Sequence, residues 1–280
     1  MTVTRVLVVT AVPAERDAVA AGVAGDGGAE AVALPGGGHT LHRVRAAGPP
    51  AGEGAGLVVD VLAAGVGPAA AAAGTATALT AAICGGLGYD LVISAGIGGG
   101  FVPAQTAGGA AGRPGAPAGA ATGTTSGAPV GSTVVADEIV AADLGAETPD
   151  GFVPVTELGF GTVVHTPPPG LVQALAAATG AARGAVLTAS TVTGSAEHAA
   201  RLAARHPRAL VEAMEGFGVA EAAAARGLPV LEIRTVSNPV GPRDRAAWRI
   251  GEALGALSAA CAALPRVLAA AGAPTSWRTP

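Results

Sequence analysis

Short runs rich in valine and isoleucine alternate with longer alanine-rich stretches along most of the chain. β-branched runs of about four to eight residues suit strands buried on both faces, and the alanine-rich stretches are long enough to be the helices that cover them. The alternation therefore implies an α/β fold, with a sheet covered by helices on both sides. It predicts strands at 5–12, 57–63, 91–95, 132–138, 185–191 and 229–236, and helices at 14–22, 67–84, 169–179, 196–205, 215–226 and 246–270. With 280 residues, half of them hydrophobic, the chain can bury one full core, and a single domain over 1–280 is expected. Two stretches break the rhythm, "AAGPPAGEGAG" at 46–56 and the Gly, Ala, Pro and Thr segment at 104–129. They have almost nothing to bury, so flexible insertions within that domain are expected.

Charge and cysteine content narrow the partners. The formal net charge is -4 and the 16 basic residues, all arginine, form no block, which argues against nucleic acid and acidic membranes and for a small molecule. Cys84 and Cys261 fit neither a disulfide framework nor a metal site, and the five histidines show no ligand spacing. No metal and no cofactor are expected, in a reducing, cytoplasmic setting. The N-terminal "VLVVTAV" reads as a first strand rather than a signal peptide. The charge-free stretch between Asp60 and Asp90 is broken by glycines and poor in large aliphatics, so it reads as a buried strand-turn-helix rather than a membrane span.

Two glycine-rich turns follow strands. In "AAGVGPAAAAAG", Gly65, Gly67 and Ala70 have the spacing of a dinucleotide-binding turn with Asp90 downstream, although Asp90 precedes the next strand instead of ending it. Close packing of an alanine-rich helix explains the same residues. In "SAGIGGGF", four glycines allow close backbone approach, and the uncharged tip at Ile97 suits a sugar better than a phosphate.

Taken in order, "VTAVPAERDAV", "AAGVGPAAAAAG", "VISAGIGGGF", "VGSTVVADEIV", "VEAMEGFGVA" and "RTVSN" resemble the nucleoside phosphorylase/hydrolase superfamily over residues 5 to about 265. The likeness is strongest to the methylthioadenosine/S-adenosylhomocysteine nucleosidases and, through "ELGFG" and "SNPVGPRDRAAW", to the futalosine hydrolase family. The resemblance implies a three-layer αβα sandwich with a mixed central sheet, cleavage of a purine N-glycosidic bond, and subunits paired as a homo-oligomer. It gives Glu15 the catalytic carboxylate and Met214 with Glu215 the ribose-binding pair. Ser237 and Asn238 take the place of a Ser-Asp pair whose aspartate acts on purine N7. Gly96, Ile97, Gly98 and the main chain near Val192 are implied to line the substrate, with Ile97 standing where relatives have serine and Thr191 where they have a stacking aromatic.

Local readings stand beside these roles. Glu15 equally suits the first turn of a helix, where the macrodipole favours an acid. Glu215 has a competitor in Glu212. Phe160 and Phe152 either close over the substrate or anchor loops. Arg243, Asp244, Arg245, Trp248 and Arg249 form either a solvated loop or a clamp for a carboxylated aromatic tail. Departure of a purine leaves an oxocarbenium-like carbon that needs an activated water, and a carboxylate of raised pKa is a suitable base. No phosphate-binding arginine is evident near either turn, which favours water over phosphate. The resemblance then implies hydrolysis of futalosine to hypoxanthine and dehypoxanthine futalosine, a step of the alternative menaquinone pathway. The alternatives are a methylthioadenosine-type nucleosidase, a purine nucleoside phosphorylase, a dinucleotide-binding oxidoreductase or a non-catalytic nucleoside sensor.

Overall fold

The computed structural model describes residues 5–25, 27–36, 38–46, 56–102 and 127–271. Most of 46–56 and 104–129, the expected insertions, lies outside the described residues. In chain order the elements are β1 (Arg5–Thr10), α1 (Pro13–Ala24), β2 (Glu30–Ala33), β3 (Thr40–Arg45), β4 (Val58–Ala63), α2 (Pro68–Cys84), β5 (Leu91–Gly100) and β6 (Thr133–Ala141). There follow β7 (Gly145–Thr148), β8 (Gly151–Pro154), β9 (Val164–His165), α3 (Pro169–Thr179), β10 (Ala182–Thr188) and α4 (Ala196–Arg205). The chain continues with β11 (Ala209–Ala213), α5 (Gly216–Ala224), β12 (Val230–Pro239), α6 (Ile250–Cys261) and α7 (Leu264–Ala270).

The main sheet runs β11-β10-β6-β12-β5-β1-β4-β3-β2, with β9 paired to β6. β1 is parallel to β4 and β5, and β12 is parallel to β5, whereas β6 is antiparallel to β12. The sheet is thus mixed, as expected. Its two faces bury separate apolar clusters. Leu62, Leu79, Val92, Phe217 and Val219 pack on the side of α2 and α5, and Val8, Val19, Ile93, Leu171 and Leu257 on the side of α1, α3 and α6. These clusters hold three layers together through apolar burial.

The sheet also curls back on itself, because the far end of β5 pairs antiparallel with β11. Glycine permits that pairing: a Cβ on Gly98 would lie 2.6 Å from the Val211 side chain and 2.8 Å from the Glu212 carbonyl oxygen. Gly98, in the glycine run read from the sequence as a place of close backbone approach, thus also serves strand pairing.

The charge-free stretch between Asp60 and Asp90 forms β4, a turn and α2, as expected. The helix expected at 246–270 is in fact a 3-10 turn (Arg245–Ala247), α6 and α7. Pro265 sits in the first turn of α7, where its missing N–H costs little, and could not continue α6 without breaking a hydrogen bond. Ile250–Ala270 is apolar enough to cross a membrane by length and composition alone, but its α6 half packs against α1 and β12. Strands β2, β3, β7, β8, β9 and β11 were not predicted. Most are short or carry polar residues, and β11 runs almost directly into α5.

Candidate active site

The C-terminal ends of β1, β4 and β11, the middle of β5 and the first half of β12 converge on one buried group of charges. Where β1 ends, Pro13 opens α1 and places Glu15 in its first turn. Glu15 is only 3% exposed. Its Oε2 accepts from the backbone N–H groups of Ala11 (3.0 Å) and Val12 (3.2 Å), and its Oε1 from that of Ile97 (2.9 Å). Three donors occupy three of the roughly four acceptor positions of a carboxylate, which leaves one on Oε1. Burial raises the Glu15 pKa above its ordinary value, against the opposing pull of Arg234 and the Ile97 N–H. The helix-start acid is thus also a buried carboxylate.

Glu215 lies at the start of α5 without capping it. Its carboxylate accepts from the Gly67 N–H at 3.1 Å and from Arg234 Nη1 at 3.2 Å. The guanidinium of Arg234, 1% exposed, also donates from Nε to Glu232 (2.9 Å) and from Nη2 to the Ser94 hydroxyl (3.0 Å). An arginine that the sequence reading did not foresee therefore stands between the two candidate carboxylates. Its donors are already directed at protein acceptors. Gly96 makes the gathering possible, since a Cβ there would fall 2.6 Å from Glu15 Oε1 and 2.7 Å from Arg234 Nη1. Sequence reasoning gave no role to Glu232 and Arg234. The signal was present in "VLEIRTV", where two charges two residues apart share one face of an otherwise aliphatic strand.

Ser237 and Asn238 end β12 beside this group. The Ser237 hydroxyl lies within hydrogen-bonding distance of Asn238 Oδ1 (2.8 Å) and of the Gly98 carbonyl (3.3 Å), and Asn238 Nδ2 donates to the Pro239 carbonyl at 3.0 Å. The second amide hydrogen has no acceptor among the described residues. The Arg249 N–H donates to the Ser237 carbonyl at 2.8 Å, which ties the 243–249 segment to the strand end. Within it, the guanidinium carbons of Arg243 and Arg245 lie 5.7 and 5.9 Å from the Trp248 ring centroid. Asp244 caps the 3-10 turn through the Ala246 N–H.

Met214 is partly buried next to Glu215. Glu212, the rival acid, instead accepts from the backbone and hydroxyl of Thr193 and is committed to the loop after β10. That loop, with Thr191 and the half-exposed Val192, forms one wall of a cavity of about 720 Å³ that also involves Phe152, His198 and Arg205. Arg205 stacks on Phe152 at 4.3 Å. Phe160 is 63% exposed in the turn after β8, and none of its described contacts reaches the charged group.

The dinucleotide reading finds no support. Asp90 bonds the Arg5 backbone at the N-terminal ends of β5 and β1, whereas Gly65 and Gly67 lie past the C-terminal end of β4. Gly67 is spent on Glu215. Among the described residues no group of three or more His, Cys, Asp or Glu is arranged to hold a metal ion.

The profile of the Phosphorylase superfamily matches residues 118–271, more than half of the chain, which belongs to that superfamily. A futalosine hydrolase of Streptomyces coelicolor is 60% identical over 262 residues, covering 94% of this chain and 95% of that protein. One of Acidothermus cellulolyticus is 41% identical over 266 residues, covering 92% and 89%. The chain is a member of the futalosine hydrolase family. Among solved structures, S-adenosylhomocysteine nucleosidase of Streptococcus pyogenes superimposes with a TM-score of 0.70 at 17% identity, covering 95% and 98% of the two chains. Futalosine hydrolase of Helicobacter pylori gives 0.66 at 15% identity, covering 95% and 97%. Both share the fold.

Proposed function

We infer that the chain hydrolyses the N-glycosidic bond of futalosine, releasing hypoxanthine and dehypoxanthine futalosine in the alternative menaquinone pathway. The observation that carries hydrolysis is Glu15, a buried carboxylate of raised pKa with one acceptor position left for a water. As the C1′–N bond breaks, its electron pair passes to the base. The water oxygen bonds C1′ while Glu15 takes the water proton; the departing hypoxanthine anion is protonated from solvent, and Glu15 returns its proton to solvent to close the cycle. Glu215, braced by Arg234 and the Gly67 N–H, binds the ribose hydroxyls with Met214 against the sugar. The free amide hydrogen of Asn238 steadies the charge that collects on hypoxanthine, and Ser237 orients that amide. Gly96, Ile97, Gly98 and Val192 border the nucleoside, Phe160 closes over it, and the Arg243, Arg245 and Trp248 group meets the carboxylated tail.

Water is favoured over phosphate because the donors of Arg234 already face Glu215, Glu232 and Ser94. The chain works without a cofactor, as a single catalytic domain and as a cytoplasmic homo-oligomer. The test is base release from futalosine, inosine and methylthioadenosine, with and without phosphate. Phosphate-independent hypoxanthine release, fastest from futalosine, is expected. A phosphate requirement, or faster adenine release from methylthioadenosine, would overturn the reading.

A further inference from the structure

We propose that Glu232 is a positioning residue for the hydrolytic base, acting through Arg234. It holds the guanidinium between Glu15 and Glu215 and absorbs enough of its positive charge to keep Glu15 basic. The proposal rests on the assignment of Glu15 as base.

Glu232 and Arg234 alternate along β12, so both side chains leave the strand on one face, and Glu232 Oε1 accepts from Arg234 Nε at 2.9 Å. That bond fixes the guanidinium plane and turns Nη1 towards Glu215 and the Ile97 carbonyl. The space for the carboxyl is built by a glycine at the start of α5. A Cβ on Gly216 would lie 2.2 to 2.4 Å from three atoms of the Glu232 carboxyl group. Glu232 is fully buried, and its Oε2 has no hydrogen-bond partner among the described residues. A carboxyl kept at such cost without touching solvent has a purpose other than solubility.

Charge supplies that purpose. The charged groups facing Glu15 are Arg234 and, beyond it, Glu232 from β12, together with Glu215 from the start of α5. β5 brings no charge to the group: it offers the Ile97 N–H to Glu15, and the Ile97 carbonyl and the Ser94 hydroxyl to Arg234. Three carboxyls share one guanidinium. Without Glu232, the arginine would be paired with the two catalytic carboxylates alone and would hold Glu15 ionised, a weaker base.

The test is the pH dependence of kcat for Glu232→Gln. Glutamine retains an acceptor for Arg234 Nε and exchanges an unpaired buried acceptor for an unpaired donor, so folding should be kept. The acid limb should move down by about one pH unit and the plateau kcat fall about tenfold, with KM little changed. A purely structural role would lower Tm without moving the limb. A limb superimposable on the parent's overturns the proposal and leaves Glu15 as base. An active Glu15→Gln variant overturns both. Should Glu232→Gln fail to fold, Glu232→Asp keeps the charge but shortens the reach to Arg234. The limb should then stay in place while kcat falls, and an unchanged kcat would overturn the proposal.

Discussion

Replacing Asn238 by Asp is the sharpest probe of leaving-group recognition, because it changes one group from donor to acceptor at nearly constant shape. In the structure Asn238 Oδ1 meets the Ser237 hydroxyl at 2.8 Å and Nδ2 donates to the Pro239 carbonyl at 3.0 Å, which leaves one amide hydrogen for the base. In the variant a carboxyl oxygen faces that carbonyl at the same separation. Ionised, it repels both the carbonyl and the N7 and O6 acceptors of hypoxanthine. Protonated, it spends its one hydrogen on Pro239. Neither form offers the purine a donor. Loss of one donor aimed at developing negative charge costs about 10²-fold or more, or about 2.7 kcal/mol at the lower bound. We therefore expect kcat/KM for futalosine to fall about 10²-fold. The 6-amino analogue should fall less, because its N6–H can donate to the carboxylate, and the gap should widen as pH rises and the variant carboxyl ionises. Initial rates of hypoxanthine and adenine release, measured between pH 5 and 8, read this directly. Parental kcat/KM on futalosine with an unchanged preference would refute the role of the amide.

Glu15→Gln should lower kcat about 10²- to 10⁴-fold, since an amide cannot take the water proton. Its single oxygen also cannot serve both the Ala11–Val12 and the Ile97 donors, so a lower Tm by calorimetry is expected as well. The raised pKa of Glu15 places the parental acid limb above the ordinary carboxylate value of 4.5. In that interval the folded chain keeps a proton that the unfolded chain releases. This group's contribution to stability therefore declines as pH rises through the interval, which denaturant titration at stepped pH would show. Glu215→Ala should reduce kcat/KM sharply by removing ribose contacts and leaving Arg234 short of an acceptor. Normal kinetics would exclude it from the site. Joint replacement of Arg243 and Arg245 by alanine should raise KM for futalosine while leaving inosine cleavage unchanged, and equal effects on both substrates would exclude a tail clamp.

The layers of the fold were legible because their signal is local. Each β-branched run and each alanine-rich stretch announces its own period, and β1, β4, β5, β6, β10 and β12 fall close to the predicted strands. The edge strand β2 and its neighbour β3 escaped notice because polar residues interrupt them and their pairing is set in space, β3 on β4 and β2 on β3. Within the site, Glu15 and Glu215 were named through motif resemblance, and their burial agrees with a special role without having been foreseeable from their neighbours.

The sequence by itself determined the class of fold, the family and the identity of the strand-end residues, because propensity and short motifs act over a few neighbours. Only the tertiary structure decided which charges meet. Arg234 joins Glu232 on its own strand to Glu215 at the start of α5, beside Glu15 in the first turn of α1. It also decided that Gly98 serves strand pairing while Gly96 makes room for the charges. Burial and charge neutralisation depend on which groups lie within a few ångströms in space, and that proximity is created only when distant strands close into one sheet.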